Sequence, residues 1–239
     1  MIKDTHVAIL AGGLATRLGS RAKQVPKSLV SIAGRPFIEY QLRGLAAQGA
    51  VNVVICVGHL GSQIRDFVLD GSRFGLNVSY SSDGSKKLGT GGALAKASSQ
   101  LTDQFFVTYG DSFLRFALDS LLDKKQSSSL ENVMAIYRNE NAFDSSNVSV
   151  LDDVHISYSR TAPVESNHID YGISLISKKS IQDFAPQHPW ELPEFFEEIS
   201  GSKKLGFVKA TQRFYEIGSL AGIEDFEKFV EGGGCDDIL

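Results

Sequence analysis

The chain has 239 residues, 42% of them hydrophobic, enough to bury a full core as one α/β domain. A net charge of −4 and a pI near 5.7, with no Lys/Arg cluster, argue against nucleic-acid or membrane-surface binding. No segment approaches the roughly 18 apolar residues of a membrane span. The two cysteines, Cys56 in an apolar run and Cys235 in a polar tail, offer no disulfide framework, so a cytoplasmic protein without a signal peptide is expected.

The first element is a short apolar strand, His6–Leu10, followed at once by Ala11-Gly12-Gly13-Leu14-Ala15-Thr16-Arg17-Leu18. A strand running into a glycine loop opens many α/β nucleotide folds. Two glycines let backbone N–H groups approach a phosphate with no Cβ in the way, and Arg17 adds a forked cation. The loop lacks the Gly-Lys-Ser/Thr ending of a P-loop and the Gly-x-Gly-x-x-Gly dinucleotide fingerprint. A tight βα turn with a surface arginine is an equal reading of this loop alone. Pro26-Lys27-Ser28-Leu29 follows, where Lys27 is either solvated or returns to the same phosphates.

Ser28–Ile32 is expected as a short strand, and Phe37, Tyr40, Leu42, Leu45 and Ala46 fall at helical spacing up to Gly49. Val51–Val57 reads as a parallel strand covered on both faces. Ile64, Phe67 and Val68 mark a second helix, and Asn77–Tyr80 a strand. A polar loop, Ser81–Lys87, leads into the second glycine cluster, Leu88-Gly89-Thr90-Gly91-Gly92, and a helix to about Gln100. These glycines permit close approach to a flat base and its ribose, although Thr90 as a helix cap explains them equally. Phe105–Thr108 is a strand ending in Tyr109-Gly110-Asp111-Ser112. A carboxylate there faces the ligand crevice of an open α/β sheet and suits Mg²⁺; the alternative is an Asx-turn or a helix cap.

From Val133 the texture changes to short strands: Val133–Tyr137, Val148–Leu151, His155–Ser159 and Tyr171–Ile176. Helices are expected over Leu192–Ile199 and Leu220–Val230, with a strand, Gly206–Ala210, between them and a frayed tail from Gly232. Glu216 sits among large apolar residues in Phe214-Tyr215-Glu216-Ile217-Gly218-Ser219. A charge there requires a metal or a basic partner. His6, His59, His155, His168 and His188 show no ligand-like pairing and read as structural or exposed.

Gly-Gly-x-x-Thr-Arg-Leu, Pro-Lys, Leu-Gly-Thr-Gly-Gly-Ala, Gly-Asp and Tyr-Glu-Ile-Gly-Ser occur in one order, and this series resembles the sugar-1-phosphate nucleotidyltransferase family from about residue 6 to 229. Ala-Gly-Arg-Pro-Phe-Ile-Glu, Tyr-Gly-Asp-Ser and Ile-Asp-Tyr-Gly are similar to bacterial heptose-1-phosphate guanylyltransferases. The resemblance implies a single-domain, Rossmann-like three-layer sandwich with a mostly parallel mixed sheet. Residues 1–130 would form a nucleotide-binding half, 131–230 a sugar-phosphate half and 231–239 a tail.

By motif match, Arg17, Lys27 and Asp111 would be catalytic, with Asp111 and Glu216 holding Mg²⁺. Leu10, Ala11, Gly12, Gly13, Thr16, Asp83, Gly89, Thr90 and Gly110 would bind the nucleotide. Asn147, Arg160, Asp170 and Gly172 would bind the sugar phosphate. The implied substrates are a nucleoside triphosphate, GTP favoured, and a sugar 1-phosphate, heptose 1-phosphate favoured, with a homodimer as a candidate assembly. Asp83 favours guanine because its two oxygens match the N1–H and N2 amino donors, whereas uracil offers one donor between two carbonyls. A solvated turn residue is the plain alternative for Asp83.

Three departures stand out: Ala15 for the usual Gly, Glu216 for the common Asp, and Ser159-Arg160 where many relatives carry Glu-Lys. Uridylyl- or cytidylyl transfer to another sugar phosphate, and a non-catalytic sensor on the same fold, remain competing readings. A dehydrogenase lacks its fingerprint.

Overall fold

The computed structural model describes residues 1–13, 25–84, 86–161, 166–186 and 189–239. Strand β1 (His6–Leu10) leads to β2 (Ser31–Ile32), β3 (Arg35–Pro36) and helix α1 (Phe37–Ala47). Then come β4 (Asn52–Val57), α2 (Gly61–Val68), β5 (Asn77–Ser82), α3 (Gly89–Ala97), β6 (Gln104–Tyr109), β7 (Ser112–Phe113) and α4 (Asp119–Gln126). The second half holds β8 (Asn132–Arg138), β9 (Val148–Val150), β10 (Ile156–Tyr158), β11 (His168–Ser177), α5 (Lys178–Phe184), α6 (Leu192–Gly201), β12 (Leu205–Ala210), β13 (Tyr215–Glu216) and α7 (Leu220–Glu231).

Among the described residues nine strands form one mixed sheet along the path β10-β9-β11-β6-β1-β4-β5, with β8 pairing both β11 and β12. The ladders of β1 with β4 and β6, and of β4 with β5, are parallel. β11 runs antiparallel to β6 and β8. Alternation along each strand feeds two cores. Val7, Ile9, Val53 and Ile55 meet Leu42, Leu45, Ile64 and Leu121 of α1, α2 and α4 on one face. Ala8, Leu10, Val54 and Cys56 meet Leu94 of α3, Ile181 of α5 and Phe195 of α6 on the other. This is the three-layer α/β arrangement expected. β1 lies between β4 and β6, with α1 and α3 on opposite faces, so a crevice opens at its C-terminal end.

Four expectations are corrected. Ser28–Ile32 is not one strand: Lys27–Leu29 forms a 3-10 turn, in which Val30 N donates to Lys27 O (3.1 Å), and only Ser31–Ile32 pairs, with Arg35–Pro36. Residues 232–239 do not fray. Cys235 is fully buried and Ile238 packs with it on a third cluster, in which Phe226 meets Phe37, Tyr40, Phe113 and Tyr215. Helices α4 and α5, absent from the sequence reading, bury one residue each, Leu121 and Ile181, so their periodicity is weak. Finally, Thr90 does not cap α3; it lies within its first turn and bonds elsewhere, as described below. Among the described residues no helix is long and apolar enough to cross a membrane.

Candidate active site

Two backbone crossings assemble the crevice. Gly110 N donates to Leu10 O (2.9 Å), and a Cβ on Gly110 would lie 2.9 Å from Ala11 Cα. Ala11 N donates to Cys56 O (2.9 Å). The ends of β1, β4 and β6 therefore touch through backbone, which is why Ala11 and Gly110 are small.

Beside them lies a cavity of about 480 Å³ whose lining includes Leu10, Gly12, Gly13, Asp83, Gly89 and Thr90. Six residues expected at the nucleotide thus share one wall. Asp83 is half-buried rather than a solvated turn residue. Burial pushes its carboxyl above the usual value, against the opposing pull of Lys96 and a hydrogen bond from Leu88 N. Its Oδ2 would lie 3.7 Å from a Cβ on Gly12 and 3.4 Å from one on Gly58. Cys56, at the back of the cavity, is no nucleophile, because burial drives its thiol up to about 12.

The second glycine cluster has a structural reason that the sequence hid. Trp190 O accepts from Gly91 N (3.1 Å) and Gly92 N (3.2 Å), and its indole covers Gly91. Glu191 Oε2 accepts from Thr90 N (2.9 Å) and Thr90 Oγ1 (2.6 Å), and Thr90 Oγ1 accepts from Leu192 N (2.8 Å). The turn beneath the cavity is thereby fastened to the start of α6 in the second half of the chain.

Lys27, Asp111 and Glu216 converge. Lys27 Nζ pairs with Asp111 Oδ2 and lies 3.9 Å from Glu216 Oε1. β13 brings Glu216 there by pairing with β7 (Glu216↔Ser112), and Ile217 N donates to Asp111 O (2.9 Å). Gln41 clamps the turn by donating to Tyr109 O (2.7 Å) and Ser112 O (2.6 Å). A Cβ on Gly218 would fall 2.3 Å from Glu216 Oε1 and 3.0 Å from Lys27 Nζ, so glycine keeps this space open. Two carboxylates are hard oxygen donors of the kind Mg²⁺ takes together with substrate phosphates. Among the described residues no group of three or more His, Cys, Asp or Glu forms a ready-made cage.

Among the residues expected at the sugar phosphate, Asn147 Oδ1 accepts from Asp170 N (2.9 Å), and Asp170 Oδ1 accepts from Gly172 N (2.9 Å). Gly172 has φ +91°, beside the register shift in the β11–β8 ladder. Burial raises the Asp170 carboxyl from 3.8 to about 6, and its charge reaches Tyr109, as do those of Asp111 and Glu191. Arg160 stands apart: half-exposed, its Nε pairs with Glu197 Oε2 (3.0 Å) and its Nη1 with Glu194 Oε1 (3.8 Å). Thr16 and Arg17 lie outside the described residues. Sequence reasoning missed Gln41, Tyr109 and Glu191. Of these only Tyr109, inside the Tyr-Gly-Asp-Ser turn, carried a signal.

The Asp170 shift makes a prediction for stability. Because the folded value exceeds the unfolded one, its contribution to stability is complete below pH 4 and is lost as pH rises through 6. Asp170→Asn is expected to be more stable than wild type at pH 7.5, by roughly 3 kcal/mol from about 1.4 kcal/mol per unit. The difference should shrink steadily toward pH 4 in urea unfolding. A pH-independent difference would contradict the assignment.

A glycine loop, a cation and two carboxylates gathered at strand ends beside a cavity of ligand size define an enzyme of nucleotidyl transfer. The Nucleotidyl transferase family model matches residues 6–145, and the chain belongs to that family, as a sugar-1-phosphate nucleotidyltransferase. It is 31% identical over 212 residues to D-glycero-alpha-D-manno-heptose 1-phosphate guanylyltransferase of Campylobacter jejuni, covering 88% of this chain and 93% of that one. A glucose-1-phosphate thymidylyltransferase of Streptomyces antibioticus is 36% identical, over only 48% of this chain and 32% of its own. The crystal structure of HddC from Yersinia pseudotuberculosis complexed with GMP-PN superposes with a TM-score of 0.78 at 25% identity, over 94% of this chain and 99% of that one.

Proposed function

We propose that the enzyme transfers GMP from GTP to heptose 1-phosphate, giving GDP-heptose and pyrophosphate. The observation that carries the base is Asp83, whose carboxylate lies against Gly12 and Gly58 on the nucleotide cavity. Its two oxygens accept from the paired N1–H and N2 amino donors of guanine, and uracil and thymine have no such pair. The full-length similarity to a heptose 1-phosphate guanylyltransferase, and the GMP-PN complex of HddC, support the same choice.

The acceptor phosphate has a second pKa of about 6 and is largely dianionic at pH 7, so it needs no activating base. One of its oxygens attacks the α-phosphorus in line, and the bond from that phosphorus to the pyrophosphate oxygen breaks. Lys27 neutralises charge on the departing pyrophosphate; Arg17 is assigned the same task from its motif alone. Asp111 and Glu216 would hold Mg²⁺, which when bound offsets the negative charge that builds up at transfer. Asp170 accepts from a sugar hydroxyl, and Arg160 exchanges its α6 carboxylates for the sugar phosphate.

The test crosses four nucleoside triphosphates with a panel of sugar 1-phosphates and reads pyrophosphate. GTP with heptose 1-phosphate should give the highest kcat/KM. Asp83→Asn should reduce the GTP-over-UTP preference by about a hundredfold, since unpaired polar groups discriminate strongly. Equal preference in both proteins would move base recognition to the backbone of the glycine turn.

A further inference from the structure

A second cavity, also of about 480 Å³, adjoins Glu216 and shares none of its described lining with the nucleotide cavity. Its wall is Phe143, an aromatic side chain left 44% exposed. The loop that presents Phe143 carries two successive left-handed residues, Glu140 (φ 47°) and Asn141 (φ 61°). Such strain persists only where surrounding contacts over-determine it. Here the buried Asn139 donates to Asp144 O (2.6 Å) and Ser146 Oγ (3.1 Å) and accepts from Phe143 N (3.2 Å). Asn141 Oδ1 accepts from Ser146 N (2.8 Å). Strain and a buried amide are thus spent on holding one ring at the cavity edge.

The arginine stacked on that ring is equally fixed. The Arg213 guanidinium lies 3.8 Å from the Phe143 ring centroid and 4.4 Å from that of Tyr215. Its Nη2 pairs with Asp225 Oδ2 (2.6 Å), and its Nε donates to Phe214 O (3.2 Å). The described lining sets three carboxylates, of Asp144, Glu216 and Asp225, against this one guanidinium. That balance repels a phosphate and suits a neutral molecule rich in hydroxyls. Carboxylates accept from its O–H groups, the guanidinium donates to its oxygens, and the ring covers its C–H surface.

We propose that this cavity receives the exocyclic, hydroxyl-bearing arm of the acceptor sugar and so selects sugar 1-phosphates longer than a hexose. The inference rests on the reading that the acceptor phosphate meets its target beside Asp111 and Glu216. Phe143 and Arg213 are then specificity-determining residues, and neither touches the reacting atoms.

Heptose 1-phosphate and mannose 1-phosphate, which share a manno ring and differ by one hydroxymethylene carbon, are compared with GTP at saturation. Wild type should favour the heptose in kcat/KM by tenfold or more, within the range one extra carbon unit supports. Phe143→Ala should cut that ratio about tenfold, with the mannose value falling less than about threefold. Arg213→Lys, which keeps the charge and loses the planar stack, should move the ratio the same way. Phe143→Leu reads the same ratio should the alanine variant fail to fold. An unchanged ratio, or an equal fall for both sugars, overturns the cavity assignment. Equal wild-type use of both sugars also overturns it and leaves the guanylyltransferase reading standing, whereas pyrophosphate release with neither overturns both.

Discussion

Asp111→Asn is expected to lower turnover by roughly a hundredfold or more, the scale of losing a key electrostatic group. Asp111 and Glu216 are brought together by the β7–β13 pairing and share one cation, Lys27. Asparagine keeps the size of the side chain and removes the charge, so Lys27 loses its nearer partner and any metal loses a ligand. The substitution should leave the fold intact, because the turn is held by backbone and by Gln41 rather than by the Asp111 side chain. Excess EDTA should likewise remove pyrophosphate release from the wild type, and added Mg²⁺ should restore it. Full activity of Asp111→Asn, or of wild type in EDTA, would contradict the assignment.

The largest loss of stability is expected at the contact between Gly91 and Trp190. A Cβ there would sit 2.0 Å from Trp190 Cε3 and 2.1 Å from Cζ3, far inside contact distance. Trp190 cannot give way readily: it is 3% exposed, and the Phe184 ring packs edge-on at 5.0 Å. Overpacking of this kind costs about 1–3 kcal/mol and sometimes more. Trp190→Ala removes the opposing bulk and leaves a void, at about 3–5 kcal/mol. In that background Gly91→Ala should be almost free, so the double mutant should be more stable than the sum of the singles requires. Melting temperatures report this directly, at about 2–4 °C per kcal/mol for a chain of this size. Strict additivity would mean that the glycine is not there for the indole. If the cavity holds the nucleotide as proposed, Gly91→Ala should also raise the KM for the nucleoside triphosphate, because Gly89 and Thr90 of the same turn line it.

Local chemistry made much of this protein legible in its sequence. Apolar runs such as His6–Leu10 and Phe105–Thr108 read as buried strands, and the Gly-Gly and Gly-Asp that follow them mark where backbone must approach backbone or ligand. Those signals sufficed for the α/β class, and they singled out Lys27, Asp111 and Glu216, which the fold brings together. Tertiary structure alone decided what lies far apart in sequence. Glu216 reaches Asp111 through a two-residue strand too short to carry a pattern. Gln41 looks like an ordinary polar helix residue until its amide meets Tyr109 and Ser112. The glycines at 89 and 91 read either as ligand contacts or as structural, and only the fold shows that Trp190, about a hundred residues later, lies against both, while Gly89 also lines the cavity. Cys235, in a tail that reads as polar and loose, is buried because Phe226 and Phe229 of α7 and Tyr215 gather around it as one aromatic cluster. Periodicity records which face of an element is buried, but not what buries it, and that partner is fixed only when the chain closes on itself.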